Sequence, residues 1–68
     1  MRTIHTDITV RTADHCIPLS QDRLRDLCIR AGDRVVVAGG DMEVEARVEL
    51  RDTGPVAVPQ WSTLTYRD

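Results

Sequence analysis

Apolar and polar residues alternate along most of this chain, and the alternation breaks at short polar or glycine-bearing stretches. Ile4, Thr6, Ile8 and Val10 share one parity, and Thr3, His5, Asp7, Thr9 and Arg11 the other. That is the two-residue period of a half-buried strand. Thr12 to His15 reads as a turn. Cys16 to Leu19 reads as an extended segment, and Pro18 implies that it is short or lies on an edge.

The period then changes. Leu24, Leu27 and Cys28 stand at i, i+3 and i+4, a narrow apolar stripe of about two helical turns. Ser20 is placed to cap the first turn, because its hydroxyl can accept from a free amide there. Asp22 lies near the positive end of the helix dipole, and Asp26 and Arg30 stand four apart in the favourable order. The pattern predicts one short helix over about residues 20–29, too short to hold without packing on a sheet. Gly32 marks the turn that follows it.

Alternation returns from Asp33. Val35 and Val37 oppose Arg34 and Val36, and Gly39-Gly40 fits a two-residue hairpin loop needing positive φ. That loop sets Val37 opposite Met42, Val35 opposite Val44, and Arg34 opposite Glu45, an opposite-charge pair. The next strand carries Met42, Val44, Ala46, Val48 and Leu50 inward, with Glu43, Glu45, Arg47, Glu49 and Arg51 outward. A strand of this length in so small a chain must bend or serve two neighbours. Asp52-Thr53-Gly54 reads as a three-residue loop, with Leu50 opposite Val56 and Val48 opposite Val58. A two-residue Thr53-Gly54 loop would mix the faces. Pro59 ends the last clear strand or marks it as an edge, and the tail from Trp61 to Tyr66 alternates ambiguously.

These elements imply a mainly β fold: a small, five-stranded, SH3-like and partly open barrel with one short helix. The 68 residues form one domain, 1–68, near the lower limit for a single hydrophobic core. Cores of this size supply only about 3–5 kcal/mol, so self-association enters as an expectation. No stretch is long and apolar enough for a membrane helix, and the first ten residues lack the basic start and apolar run of a signal peptide. A cytoplasmic setting follows as the expectation.

Charge narrows the function classes. The net charge is −2 and the basic residues are scattered, which disfavours nucleic-acid binding through a broad electrostatic footprint without excluding arginines that converge in a dimer. Every basic residue is arginine, and Lys, Phe and Asn are absent. GC-rich coding accounts for all three features; a need for forked, bidentate contacts accounts only for the first. Two cysteines, Cys16 and Cys28, are too few and too far apart for a disulfide framework or a zinc site and read as reduced core residues.

Asp14-His15-Cys16 places an acid, a base and a thiol in sequence. Neighbours on a turn point in different directions, so the triplet reads as a turn with a buried cysteine and not as a catalytic set. His5, His15, Cys16 and Cys28 lack any usual close ligand pair. No catalytic residue, metal or cofactor is therefore expected. Gly39-Gly40 joins two strands and cannot be a phosphate loop, which needs a helix start. Glu43, Glu45 and Glu49 form an acidic row that is either a docking face for a basic partner or a solvated face of weak pairs. Trp61 is either the main aromatic of the core or an exposed anchor. The candidate partner-binding residues are Trp61, Tyr66, Glu43 and Glu45.

Three resemblances follow from these residues. Ile17-Pro18 and Leu27-Cys28-Ile29-Arg30-Ala31-Gly32-Asp33-Arg34-Val35 resemble the AbrB and MazE type of swapped-hairpin regulator. In that family Gly is usual at the place of Cys28, and the interval from Pro18 to Gly32 is about two residues shorter. The resemblance implies a dimer that binds DNA, or a toxin, through arginines near the N-terminal strands. Leu24, Leu27, Ile29, Gly32, Val35 and Val37 are similar to the FeoA type of SH3-like domain, where Gly and Pro are usual at Cys28 and Ala31. Asp41, Glu43, Glu45, Ala46, Pro59 and Trp61 resemble a set of short, uncharacterised bacterial proteins, which imply an SH3-like barrel and no activity. The expected function is a non-enzymatic protein-interaction or accessory regulatory module; the alternative is the DNA-binding regulator or antitoxin.

Overall fold

A computed structural model describes residues 1–66. Its order is β1 (Arg2–His5), β2 (Ile17–Pro18), α1 (Gln21–Asp26), β3 (Arg34–Gly39), β4 (Met42–Arg51), β5 (Gly54–Pro59), a 3₁₀ turn (Trp61–Thr63) and β6 (Thr65–Tyr66). The fold is mainly β, 45% strand and 14% helix, and its six-stranded sheet does not close. The strands run in the order β1-β3-β4-β5-β2, with β6 beside the start of β4. β1 lies parallel to β3, and every other pair is antiparallel. The sixth strand, β6, is drawn from the tail whose alternation is ambiguous.

β4 is the central strand and serves neighbours on both sides. β3 covers Met42 to Arg47, and Gly32 and Asp33 extend that edge by exchanging backbone hydrogen bonds with Val48. The other edge takes β6 at Met42 and Glu43, Gln60 at Glu45, and β5 from Ala46 to Arg51. Its inward row, Val44, Ala46 and Val48, is buried with Ile4, Val35, Val37 and Ala57, while Leu24 and Ile29 from the helical segment cover them.

The β3–β4 hairpin turns through Gly40-Asp41, one residue later than the glycine pair predicts. Val37 therefore faces Val44, Val35 faces Ala46, and Arg34 faces Arg47. Gly40 alone of the loop residues takes positive φ, at 59°, as the first position of a type II′ turn does. Gly39 is held inside the sheet for another reason. A Cβ there would lie 2.2 Å from the Thr6 carbonyl oxygen and 3.0 Å from the Ile8 nitrogen. The chain leaving β1 passes directly against it, with the Thr6 amide donating to the Ala38 carbonyl. The register moves by two, so every side chain keeps its face. Arg34 still reaches Glu45, now diagonally, at 3.7 Å.

β5 differs more. Its loop is Asp52-Thr53, so Val48 faces Ala57, Glu49 faces Val56 and Leu50 faces Pro55. This one-residue slip reverses the expected faces. Pro55, Val56 and Ala57 are all buried, and a segment apolar on both faces cannot reveal its register. β1 is also shorter than the alternation predicts. Asp7 ends it by accepting bonds from the Thr9 amide and hydroxyl, a side-chain mimic of a backbone turn. Ile8 still reaches the core, but Val10 is exposed.

α1 begins as expected, with the Ser20 hydroxyl accepting from the Arg23 amide. It stops sooner. The Cys28 amide donates to the Arg25 carbonyl and the Ile29 amide to that of Leu24, which is the Schellman closure. Cys28 occupies the left-handed position, φ 56°, and its side chain is exposed rather than buried. Arg30 lies beyond the helix, so no ion pair joins it to Asp26 among the described residues.

Two substitutions test this account by urea denaturation. Cys28→Gly relieves a left-handed non-glycine residue and is expected to raise stability by up to about 1 kcal/mol. Gly39→Ala forces backbone away from backbone and should lower it by about 2 kcal/mol or more. An unchanged midpoint for Gly39→Ala is incompatible with the described contact.

Candidate functional site

The segment between β1 and β2 folds over the outer face of β5 and meets the 3₁₀ turn. Thr12 organises it: its amide donates to the Cys16 carbonyl at 2.7 Å, and its hydroxyl accepts from the Cys16 amide at 3.1 Å. The same hydroxyl donates to the Asp14 carboxylate. Closing this loop places His15 in the left-handed region, φ 64°, a conformation for which His is among the less unfavourable residues. Asp14 in turn binds Arg51 at 2.6 Å, and Arg51 also reaches Glu49 at 3.6 Å. The turn is thereby tied to the far end of β4.

These contacts set the local protonation. The Thr12 hydroxyl first, and Arg51 second, hold the Asp14 carboxyl down at about 2. Burial first, and the Asp14 charge second, push the Cys16 thiol upward, so it remains protonated and a poor nucleophile at neutral pH. Its sulfur lies 3.8 Å from both the Asp14 carbonyl oxygen and an Arg51 nitrogen. His15 is exposed, and among the described residues no hydrogen bond joins it to Cys16. The triplet is thus a pinned turn with a buried cysteine.

Trp61 supplies the opposite wall. It is half-buried, packing against the core from the end of the sheet, while the Arg11 guanidinium sits 4.3 Å from its ring centroid. Arg11 is steadied by its Nε, which donates to the Ile8 carbonyl at 3.3 Å. Between Trp61 and the turn lies an open groove of about 500 Å³ floored by Cys16, Val58 and Pro59. Across Val58 and Pro59 it meets a second depression of about 520 Å³, lined by Arg34, Arg47, Glu45, Glu49 and Gln60. Trp61 therefore stands between the two placements that the sequence leaves open, one part packed against the core and one part lining the groove.

The other candidate residues lie elsewhere. Tyr66 is exposed on β6 opposite Met42 and does not line the groove. Glu43 and Glu45 are half-buried on β4, beside Thr63 and Thr65 in a shallow depression. Glu45 is engaged with Arg34 by its side chain and donates its amide to the Thr63 hydroxyl at 2.9 Å. Sequence reasoning missed Arg11, Thr12 and Arg51. Arg11 and Trp61 are 50 positions apart, and no local pattern announces a contact at that separation.

Among the described residues no three His, Cys, Asp or Glu side chains gather as a metal site, and no helix is long and apolar enough to cross a membrane. No family model, no curated protein and no solved structure matches the chain.

The pinned turn has a pH signature. Asp14 has a depressed carboxyl, so the stability it lends is present above the ordinary value of 3.8 and is lost as the pH falls toward about 2. In an NMR titration its carboxyl should titrate near 2, and Arg51→Gln should move that midpoint upward. An Asp14 midpoint near 3.8 in the unaltered protein contradicts the arrangement. Iodoacetamide at pH 8 should label Cys28 and spare Cys16 in the native fold.

Proposed function

We propose that this protein is a non-enzymatic interaction module that holds an extended segment of a protein partner in the groove between Trp61 and the Thr12–Cys16 turn. The observation that carries the reading is the half-buried Trp61 stacked beneath Arg11. Aromatic and arginine side chains dominate binding hot spots because they offer much contact area with few freely rotating bonds. Here the core and the Ile8 carbonyl fix both partners in advance, so less ordering remains to be done on binding. The floor of Val58 and Pro59 offers apolar contact, and Arg11 and His15 offer polar contacts at the rim. The resemblance to small SH3-like barrels agrees with a binding role.

The alternative DNA-binding reading has less support. Arg34 and Arg51 are engaged with Glu45, Asp14 and Glu49, which leaves Arg11 and Arg47 as the other cations lining this face, a small footprint for a polyanion. We place the module in the cytoplasm, where its unpaired thiols stay reduced.

Panning a library of random linear peptides against the protein tests the reading. Trp61 is the sole tryptophan, so its emission reports occupancy of the groove. Selected peptides should shift that emission, and Arg11→Ala should weaken them about tenfold or more. The proposal fails if no peptide binds better than its scrambled form, or if binders leave Trp61 emission unchanged. Salt-sensitive binding of random-sequence DNA would favour the regulator instead.

A further inference from the structure

One cross-strand row on the outer face of the sheet sets two like charges side by side. Arg34 on β3 stands directly opposite Arg47 on β4, and Arg47 stands opposite Val58 on β5. Like charges directly opposite one another in an antiparallel pair are destabilising, and the acids of this depression offset them only in part. Glu45 meets Arg34 at 3.7 Å, longer than the about 2.7–2.9 Å of a tight charge-assisted bond. Glu49 is drawn to Arg51 at 3.6 Å. Arg47 is exposed and forms no ion pair among the described residues. Val58 and Pro59 line both this depression and the Trp61 groove, so the row and the groove are continuous.

We infer that the Arg34–Arg47 row is the subsite for a carboxylate side chain of the partner segment. The groove then selects a segment that carries Asp or Glu beside the apolar residue resting on Val58. The inference rests on the groove reading proposed above and adds the chemistry of its occupant. Three observations favour a single carboxylate. With Glu45 on Arg34 and Glu49 on Arg51, the charge left over in the depression is the one on Arg47. A polyanion placed there would also meet Glu45 and Glu49, whereas one carboxylate matches one surplus charge. A guanidinium fork grips both oxygens of a carboxylate, and Arg47 has its donors uncommitted among the described residues. The reach also fits. Adjacent strands lie about 4.8 Å apart and an extended chain advances about 3.3 Å per residue, so a residue about two positions from the one on Val58 arrives at Arg47. The carboxylate turns a repulsion between two arginines into two attractions, a selectivity that the apolar floor alone does not supply.

Three pools of short linear peptides test the inference on the full chain. They share a fixed apolar residue and differ only two positions to either side of it, where they carry Glu, Gln or Lys. Either chain direction then presents one of those residues to Arg47. With binding read from Trp61 emission, the best Glu peptides should bind about threefold to tenfold more tightly than their Gln versions. That advantage should shrink between about 50 mM and about 500 mM salt, as it does for exposed charges. Arg47→Gln should abolish the advantage and leave the Gln peptides unaffected, with an unchanged far-UV circular dichroism spectrum. Arg47→Lys should keep part of it. If Glu and Gln versions shift Trp61 emission at equal concentrations, the groove reading stands and this inference falls. It falls equally if the Lys versions bind best, or if a preference for Glu survives Arg47→Gln. Should no peptide of any pool bind, the groove reading falls and this inference with it.

Discussion

Backbone meets backbone where Thr6 to Ile8 cross Gly39, and much of the fold depends on that approach. The absence of a side chain at Gly39 lets the chain leaving β1 lie against the end of β3. β1 can then run parallel to β3 up to the last turn of the hairpin, with Thr6 adding one more bond to Ala38. The crossing carries Ile8 into the core although it stands in no strand. It also commits the following residues to the outer face, where Arg11 finds Trp61. A contact that resembles a turn detail thus decides where the candidate groove stands.

The same contact explains how much of the architecture was legible. Two adjacent glycines look like a hairpin loop, because local chemistry gives both the same use. Tertiary packing separates their roles: Gly39 is small for a neighbour's sake, and Gly40 is bent for the turn's sake. The resulting shift of two leaves the inward row intact, which is why Val35, Val37, Val44, Ala46 and Val48 were identifiable as core from alternation alone. β5 offered no such protection. With apolar residues on both faces, a one-residue error in the loop reversed Val56 and Ala57 without breaking any visible rule.

The site was less legible than the fold, for a reason of range. Trp61 drew attention as a rare aromatic, but its partner Arg11 sat at the end of an alternating run and carried no mark. Thr12, Asp14 and Arg51 show the same limit, since their network joins a loop near the N-terminus to the end of β4. The Asp14-His15-Cys16 triplet was conspicuous in sequence, and geometry gives its members different work. Asp14 anchors, His15 bends and Cys16 fills. Conversely, Cys28 stood out only by comparison, at a place where related-looking sequences carry glycine. The Schellman closure supplies the physical reason: the position is left-handed, and any side chain there is under strain.

β4 unites these observations because its alternation assigns consecutive residues to opposite surfaces. Leu50 turns toward the helix side and overhangs it, while Arg51 turns outward and pins Asp14. Of the outward charges, Glu45 pairs with Arg34, and Glu49 shares Arg51 with Asp14. What remains uncovered there is the partly exposed Trp61 and its apolar floor. On the inner face the unsatisfied element is Leu50. The strand thus leaves one apolar residue uncovered on one face, while its other face carries the ion pair that ties it to the Thr12–Cys16 turn. That separation follows from the period of two, and a one-residue insertion within β4 would abolish it.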